Sequence, residues 1–313
     1  MKKIVITGGF GFIGKRFVNH FQSKNIEVIV MEHPDAANPL GFPNCEIIRA
    51  DITSREFITK LKVNNVDAVL HLAAQSSGPK SFLVPEKDIK INIFGTLNII
   101  DWMISNSISR ILFASSFVVY GDHPNLEKLN EETPFKPKSV YASSKLSCEF
   151  LLKNYAQNKG IKWNALRMFN VYGPGQDITK PDQGLVGIFL NMIINQNKIE
   201  VKGSLDRYRD LIHIEDVIQA WDKCLFSNHY NKSYNVGSGY KTTFKELINV
   251  ISNVVGKKDK LEVIQIDGTP GDMMGCFADL KRISKDLNYH PKYTFKLGLI
   301  NMFKWLKKSN YQM

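Results

Sequence analysis

The feature that most constrains the fold is an apolar run at the N-terminus that leads directly into closely spaced glycines. Residues Lys3–Thr7 are β-rich, and Gly8, Gly9, Gly11 and Gly14 follow in both GxGxxG and GxxGxxG spacing. Glycines let a backbone turn tightly, approach a pyrophosphate and pack a helix closely on a strand. The helix N-terminus then offers free N–H groups to phosphates. The pattern predicts a strand, a turn and a helix that hold a dinucleotide, with Phe12 and Ile13 at the start of the helix.

The first half of the chain alternates β-rich runs with helical patterns, which is typical of parallel βαβ units. The predicted strands are Lys3–Thr7, Glu27–Met31, Glu46–Arg49, Ala68–Leu72, Arg110–Ser115 and Lys162–Arg167. The predicted helices are Gly11–Ser23, Glu56–Val63, Pro85–Ser105 and Val140–Asn158. The fold class is therefore α/β, with a doubly wound parallel sheet of the Rossmann type.

The second half changes to loops rich in Gly, Pro and Asp. Its predicted helices are Leu185–Asn195, Ile214–Phe226, Thr243–Val254 and Thr294–Lys307. We expect a dinucleotide-binding domain at residues 1–170 and a smaller α/β substrate domain at residues 171–313. Segments near 210–240 are expected to rejoin the first sheet.

Composition excludes several classes of protein. With 43% hydrophobic and 23% charged residues, the chain has ordinary globular usage. The net charge is +11, but the basic residues are spread out and form only short clusters, so nucleic-acid binding is not expected. Four cysteines lie far apart without zinc-site spacing, so no metal is expected. No signal-peptide core or membrane span is evident, and the expected location is the cytoplasm without membrane attachment.

An acidic residue marks the end of the second predicted strand. Glu32 lies about 20 residues beyond the glycines, where a carboxylate can accept hydrogen bonds from both adenosine ribose hydroxyls. A carboxylate repels a 2′-phosphate, and no Arg or Lys follows in His33-Pro34-Asp35, so the predicted cofactor is NAD rather than NADP. The alternative is a solvated acid at a strand end.

Two further strand ends carry candidate cofactor contacts, because ligands bind at the carboxyl ends of strands in open α/β sheets. Asp51 and Ile52 follow the third strand, and Leu72, Ala73 and Ala74 close the fourth. Asp51 can reach an adenine, and the small alanines let a cofactor pass close by. The alternatives are a helix N-cap for Asp51 and core packing for the alanines.

The candidate catalytic residues follow the fifth strand. Ser116 stands at its end, and Tyr141-Ala-Ser-Ser-Lys145 opens the next helix. Spacing of i and i+4 puts Tyr141 and Lys145 on one helix face. An ammonium stabilises a phenolate, which can then take a proton from a sugar hydroxyl as hydride leaves the same carbon. Ser116 would hydrogen-bond the same oxygen. Taken alone, such a Tyr and Lys are more often a surface pair.

With these motifs in place, the chain resembles the extended short-chain dehydrogenases/reductases that act on nucleotide sugars, and within them UDP-glucose 4-epimerase and its relatives. The resemblance covers nearly the whole chain. Beyond the motifs above, it rests on Asn92-Ile-Phe-Gly-Thr96, Leu166-Arg-Met-Phe-Asn-Val-Tyr-Gly-Pro-Gly175, Arg209-Asp-Leu-Ile-His-Ile-Glu-Asp-Val217, Tyr234-Asn-Val-Gly-Ser-Gly239 and Pro270-Gly-Asp272. It implies an NAD-dependent enzyme, adds Asn92, Tyr141 and Lys145 to the cofactor contacts, and implies a homodimer formed through Pro85–Ser105 and Val140–Asn158.

The resemblance also implies a substrate site for a nucleotide-diphosphate sugar. Asn170 and Arg209 match positions that bind the diphosphate, and Asp272 matches a loop near the nucleotide. Cys276 matches a position where a small side chain leaves room for an N-acetyl group. The alternatives are a salt bridge of Arg209 with Asp210 or Asp216, and a structural role for Cys276.

Departures from the family pattern narrow the expected reaction. Dehydratases of this family carry an Asp-Glu pair directly after the catalytic Ser or Thr, and this chain has Phe117 and Val118 there. Dehydration and decarboxylation to UDP-xylose are therefore not expected. Thr269 replaces an Arg that many relatives place before Pro-Gly-Asp, which weakens the choice of UDP. The expected activity is epimerisation at C4, and the alternatives are a 4-keto-sugar reductase and a non-catalytic dinucleotide-binding scaffold.

Overall fold

The computed structural model of the protein describes residues 1–123, 128–180, 184–268 and 274–309. The strands are, in chain order, β1 Lys3–Thr7, β2 Glu27–Glu32, β3 Glu46–Arg49, β4 Ala68–His71, β5 Arg110–Ser116, β6 Lys162–Met168, β7 Asn170–Tyr172, β8 Lys198–Lys202, β9 Tyr208–Arg209, β10 Leu211–His213, β11 Lys232–Val236, β12 Thr242–Thr243, β13 Glu262–Ile266 and β14 Gly275–Cys276. The α-helices are α1 Phe12–Ser23, α2 Glu56–Lys60, α3 Gly78–Leu83, α4 Pro85–Ile89, α5 Gly95–Ser105, α6 Val140–Phe150, α7 Leu185–Asn195, α8 Ile214–Leu225, α9 Phe244–Val255, α10 Lys281–Leu287 and α11 Phe295–Lys308.

Seven strands form the main sheet in the order β11-β6-β5-β4-β1-β2-β3. The pairs β1–β2, β1–β4, β2–β3 and β4–β5 are all parallel. The predicted doubly wound α/β fold is therefore confirmed. The chain runs outward from β1 to β3 and then returns to β4 on the other side of β1. Such a reversal of strand order is where open α/β sheets bind their ligands.

The chain divides into two compact units, the first of which comprises residues 1–119, 137–167 and 221–234. Its core is a continuous apolar cluster in which Val5, Val69 and Ile111 of neighbouring strands pack with Ile99 and Trp102 of α5. All five side chains are fully buried. Strands buried on both faces are typical of parallel sheets. This core holds the carboxyl ends of β1, β4 and β5 in fixed positions.

Three predicted helices in this unit, Glu56–Val63, Pro85–Ser105 and Val140–Asn158, differ from the observed ones. The helix predicted at Glu56–Val63 ends at Lys60, because the Asn106 amide oxygen takes the Val63 N–H at 3.0 Å and the Trp102 indole donates to the Leu61 carbonyl at 3.0 Å. The long helices predicted around α4–α5 and α6 contain π-helical turns at Lys90–Phe94 and Leu151–Ala156. Such turns occur frequently at functional sites.

A buried ion pair fixes α6 to the sheet. Glu149 of α6 receives two hydrogen bonds from the Arg167 guanidinium of β6, at 2.9 Å from Nε and 2.7 Å from Nη2. The hydroxyls of Ser115 and Ser233 also donate to its carboxylate, at 2.5 and 3.0 Å. Both charged side chains are almost inaccessible to solvent. Hydrogen bonds that fill the remaining lone pairs are what make such a buried pair tolerable.

The second unit comprises residues 120–136, 168–220 and 235–313. It contains the parallel pairs β7–β10 and β8–β13 and the small sheet β12-β9-β14. An apolar cluster from α7, α9 and α11 forms its core, and Thr243 with Glu246 forms a capping box at the start of α9. In the described ranges, every helix falls short of the length and apolar character that a bilayer span requires.

Candidate functional site

The glycine turn lies directly against the loop that follows β4. Gly8 has φ +70°, and a Cβ placed on it would lie 2.9 Å from the Ala73 Cα. The Thr7 hydroxyl accepts hydrogen bonds from the backbone N–H groups of Leu72 at 3.2 Å and Ala73 at 3.1 Å. Only glycine satisfies both the left-handed conformation and the close approach. The structure thus brings the predicted phosphate turn and the predicted Leu72–Ala74 contacts together.

The start of α1 has the chemistry of an anion site. Its N-cap is Gly11, so no side chain caps the helix, and no acidic residue occupies its first turn. The first N–H groups of a helix have no partner within the helix, and its positive dipole end favours an anion. The amides at Phe12 and Ile13 therefore fit the phosphates of a dinucleotide.

Glu32 stands beside this turn at the end of β2. One of its carboxylate oxygens accepts from the Phe10 N–H and the other from the His33 N–H, both at 3.0 Å. A carboxylate has about four acceptor positions, so two such bonds leave capacity for ribose hydroxyls. The sequence reasoning missed Arg49. This residue lies opposite Glu32 in the register of β2 and β3, and its guanidinium is 5.1 Å from the centre of the Phe10 ring. Residues so far apart in sequence meet only through strand register.

The remaining predicted cofactor contacts are anchored by local hydrogen bonds. Asp51 accepts from the Thr53 N–H at 2.8 Å and turns the chain after β3. The Ile52 carbonyl accepts from the Asn98 amide at 2.9 Å. Asn92 exchanges hydrogen bonds with the backbone of Gln75, accepting at 2.9 Å and donating at 3.1 Å. Asn92 is therefore tied to the chain directly after Ala74.

The structure brings Ser116, Tyr141 and Lys145 together. Ser116 is the last residue of β5, and Ser139 caps α6 by accepting from the Ala142 N–H at 3.0 Å. This cap places Tyr141 in the first turn of the helix, where its hydroxyl and Ser116 are hydrogen-bonded. The Lys145 ammonium donates to the Ala114 carbonyl at 2.8 Å and lies 6.0 Å from the centre of the Tyr141 ring.

Burial controls the protonation of this cluster in the protein without cofactor. It raises the pKa of Tyr141 to about 12, against the lowering effect of the Ser116 hydrogen bond. It also lowers the pKa of Lys145 to about 8, against the raising effects of Cys148, Asp88 and Glu149. Burial thus works against formation of the phenolate, and a further positive charge at the site would favour it. The effect of the ammonium on Tyr141 stays a prediction.

A buried chain of hydrogen bonds that the sequence reasoning missed runs beneath the site. His71 lies 2.7 Å from the Thr7 hydroxyl through Nδ1 and 3.1 Å from the Thr96 hydroxyl through Nε2. Thr96 donates to the Cys148 thiol at 3.4 Å, and the thiol donates to the Asn92 carbonyl at 3.2 Å. Burial, then the charge of Lys145, lowers the pKa of His71 to about 3. The imidazole is therefore neutral at physiological pH.

Apart from Ser116, which ends β5 in the first unit, the predicted substrate residues that the structure describes lie in the second unit. Arg209 of β9 is directly paired with Cys276 of β14. Asn170 of β7 is paired with Leu211 and donates from its side chain to the Asp210 carbonyl at 3.1 Å. Burial raises the pKa of the Cys276 thiol to about 12, so the side chain is neutral. Three of the other four predicted residues are thus neighbours, and Asp272 lies outside the described residues.

The two carboxylates considered as ion-pair partners of Arg209 make other hydrogen bonds. Asp210 accepts from the N–H groups of Ser238, Gly239 and Ala278 at 2.7, 2.9 and 3.1 Å. Asp216 accepts from the N–H groups of Lys292 and Tyr293 at 2.8 and 3.1 Å. The Arg209 guanidinium donates to the Tyr208 carbonyl at 2.8 Å.

Fold and site together define a dinucleotide-dependent α/β enzyme, and comparison with known proteins identifies its family. Residues 4–237 match the model of the NAD dependent epimerase/dehydratase family. A putative UDP-glucose 4-epimerase of Methanocaldococcus jannaschii is 32% identical over 98% of this chain and 99% of its own length. The chain therefore belongs to the NAD dependent epimerase/dehydratase family. Its cofactor is NAD.

Solved structures and a further relative extend the comparison. UDP-glucose 4-epimerase of Thermotoga maritima, solved with UDP-glucose, has a TM-score of 0.90 and 27% identity over 98% of this chain and 99% of its own. UDP-N-acetylglucosamine 4-epimerase of Methanobrevibacter ruminantium, in complex with UDP-N-acetylmuramic acid, has a TM-score of 0.89 and 30% identity over the same shares. The dTDP-4-dehydro-6-deoxyglucose reductase of Escherichia coli is 29% identical over 97% of both chains.

The glycine turn gives a first prediction. A Cβ in Gly14→Ala would lie 2.4 Å from the Gly8 carbonyl oxygen and 2.7 Å from the Gly9 Cα, so the turn must open. We expect the Kd for NAD, measured by calorimetry, to rise about tenfold or more, which corresponds to about 1.4 kcal/mol. The control is Gly78→Ala, where a Cβ meets nothing within 4 Å. Equal affinity in the two variants would contradict the role of Gly14.

Proposed function

We propose that the protein is an NAD-dependent epimerase that inverts C4 of a nucleotide-diphosphate sugar, either UDP-Glc/UDP-Gal or UDP-GlcNAc/UDP-GalNAc. The observation that carries the proposal is the cluster of Ser116, Tyr141 and Lys145 with Phe117 and Val118 directly after the serine. Phe117 is buried and apolar. Neither position offers the acid and base that elimination of water requires. A site that oxidises a sugar hydroxyl and cannot dehydrate the product favours return of the hydride.

Three side chains of the site have separate proposed roles in the transfer of the sugar proton. Tyr141 takes the proton from the sugar O4 as the C–H bond breaks, and returns it when the bond re-forms. Ser116, hydrogen-bonded to Tyr141, orients the same oxygen. Lys145 is held by the Ala114 carbonyl, so its ammonium keeps a fixed position below the tyrosine ring and stabilises the phenolate.

The glycine turn, the N-terminus of α1 and Glu32 are proposed to hold the cofactor. With NAD held there, the site would have a reversible hydride acceptor for C4 of the sugar and an added positive charge. Burial raises the pKa of the Tyr141 hydroxyl to about 12, and a nearby positive charge would lower that pKa. Phenolate formation is therefore proposed to depend on the cofactor.

The paired strands of the second unit are proposed to recognise the substrate. A guanidinium binds two phosphate oxygens at once, which suits Arg209 to a diphosphate. Asn170, whose register partner is Leu211, offers a side-chain amide. Cys276, the register partner of Arg209, is small enough to leave room for an N-acetyl group. We also propose Asp272 near the nucleotide.

The decisive experiment offers the purified enzyme a panel of UDP-, GDP- and dTDP-sugars without added cofactor. We expect conversion of UDP-Glc or UDP-GlcNAc to its C4 epimer, identified by chromatography and mass spectrometry, with no net change in NADH absorbance. In a parallel assay with added NAD(P)H and a nucleotide-linked 4-keto sugar, stoichiometric consumption of the reduced cofactor without epimer formation would instead identify a 4-keto-sugar reductase. That second candidate is favoured by the relationship to the Escherichia coli reductase.

An apolar surface in the first unit supports a homodimer. Phe82 and Ile89 are exposed and line a groove of about 390 Å³ between the α3–α4 segment and α6. Contiguous exposed apolar patches mark interaction surfaces. We propose that a second copy of the chain covers this face, with the same surface used on both copies.

The four cysteines of the protein are free thiols, which is consistent with the proposed location in the reducing cytoplasm.

The dimer makes a second prediction. Replacing Phe82, whose side chain lines the groove and is 58% exposed, by Asp would place a charge in the covered surface, so the enzyme is expected to sediment as a monomer at micromolar concentration. Leu40→Asp is the matched control, since Leu40 is 97% exposed and lies outside the groove. Wild-type enzyme that sediments with the mass of one chain would contradict the proposed homodimer.

A further inference from the structure

Asp88 of α4 is a carboxylate that no other part of the proposed mechanism uses. It is fully buried in the first unit. Its oxygens accept from two side-chain amides, Oδ1 from Asn92 at 3.2 Å and Oδ2 from Gln75 at 2.8 Å. Within the described residues it forms no ion pair. The hydrogen bonds to the Asp88 carboxylate therefore come from uncharged amide groups.

Such an arrangement is costly unless the charge serves another group. A buried ion without a partner loses its hydration, and amide donors recover only part of that loss. A folded protein keeps a charge in such a place where an opposite charge lies within range of its field. The buried cation in range of Asp88 is Lys145, on which it exerts a favourable Coulombic effect.

Hydrogen bonds also connect Asp88 to the first turn of α6. The Asn92 amide that donates to Asp88 lies 2.9 Å from the Ser144 hydroxyl, and that hydroxyl donates to the Tyr141 carbonyl at 3.0 Å. On the other side, Gln75 continues the chain after Ala74. The carboxylate thus stands where the loop after β4, the π-helical turn and α6 meet.

We propose that Asp88 is a positioning residue, which fixes Gln75 and Asn92 against the start of α6 and places a buried negative charge beside the Tyr141 and Lys145 pair. This rests on the proposed roles of Tyr141 and Lys145. The same charge opposes formation of the tyrosine phenolate. That cost is offset by the positive charge that NAD would bring.

The groups that face the pair come from several elements. Around Lys145 they are Asp88 of α4, Cys148 and Glu149 of α6, His71 of β4 and the Ala114 carbonyl of β5, and around Tyr141 they are Ser116, Asp88 and Cys148. His71 is neutral, and burial raises the pKa of Cys148, so the thiol is neutral too. Glu149 is committed to Arg167. Asp88 is the carboxylate in this set without a cation of its own.

The test is the Asp88→Asn variant, which keeps the shape and removes the charge. Asp88 raises the pKa of both Tyr141 and Lys145, so both should fall in the variant. In the NAD complex, where the positive charge of the cofactor would bring the pKa of Tyr141 below that of Lys145, the rising limb of the pH profile of kcat reports Tyr141 and the falling limb reports Lys145. We expect both limbs to move to lower pH by about half a unit. The matched control is Asp101→Asn, a half-buried carboxylate of α5 that pairs with Arg55, for which both limbs should stay in place.

A second readout needs no sugar. In the NAD complex, the tyrosinate absorbance near 295 nm that is lost in a Tyr141→Phe background titrates Tyr141 directly, and it should shift to lower pH in Asp88→Asn. If Asp88→Asn does not fold, Asp88→Ser should give the same shifts. Limbs and tyrosinate titration that coincide with the wild type overturn the proposal, even when kcat falls. A normal tyrosinate shift in an enzyme that forms no epimer would leave Asp88 in its role and reject only the proposed function.

Discussion

The Tyr141→Phe enzyme is expected to lose turnover by a factor of about 10² to 10⁴, the usual contribution of a positioned acid or base. Removing one oxygen leaves the ring in place over Lys145 and deprives the sugar hydroxyl of its proton acceptor. Because the phosphate turn is untouched, NAD binding measured by calorimetry should stay within about twofold of the wild type.

Tyr155→Phe serves as the matched control for this change. It removes a phenol that donates to Asp101 at 2.6 Å, beyond the end of α6. We expect normal kcat for it. A Tyr141→Phe enzyme with full turnover would show that the proton acceptor is another group, and the proposed role of the cluster would be withdrawn.

Replacing Glu149 by Ala is expected to lower the free energy of unfolding by about 3–5 kcal/mol, as found when one member of a buried ion pair is removed. The buried Arg167 guanidinium would lose the carboxylate that it pairs with, and the hydroxyls of Ser115 and Ser233 would lose their hydrogen bonds to Glu149. Urea denaturation followed by circular dichroism measures the change.

Two controls separate burial from charge in that experiment. The double variant Glu149→Leu/Arg167→Met should recover much of the loss, because apolar side chains of similar size pack where the ions were. Glu56→Ala, which breaks the exposed pair with Lys60 on α2, should leave the urea midpoint unchanged. A loss in Glu149→Ala no greater than in Glu56→Ala would mean that the ion pair does not hold α6.

Local patterns were sufficient for the sheet and for the residues that stand at its strand ends. The predicted bounds of the strands at Lys3–Thr7 and Glu46–Arg49 are those observed, since apolar strands bounded by turns leave little freedom. The helix at Glu56 was predicted too long, because its end is set by Trp102 and Asn106, whose positions depend on tertiary packing.

The electrostatics of the site could not be predicted from the sequence in the same way. Spacing of i and i+4 placed Tyr141 beside Lys145, but the size of the burial effect on each depends on everything packed around them. Arg49, His71 and Asp88 were not selected because each acts on a residue distant in sequence. Only strand register and helix packing bring such pairs together.

The hydrogen-bond chain from Thr7 to Cys148 has a definite polarity. Two backbone N–H groups donate to the Thr7 hydroxyl oxygen, so the proton of that hydroxyl points to His71. Each following imidazole, hydroxyl and thiol then donates a hydrogen bond in the same direction, and the Asn92 carbonyl accepts the last one. The tautomer of His71 is therefore set by two backbone N–H groups of the loop after β4. A backbone turn thereby orients the protons of this buried hydrogen-bond chain.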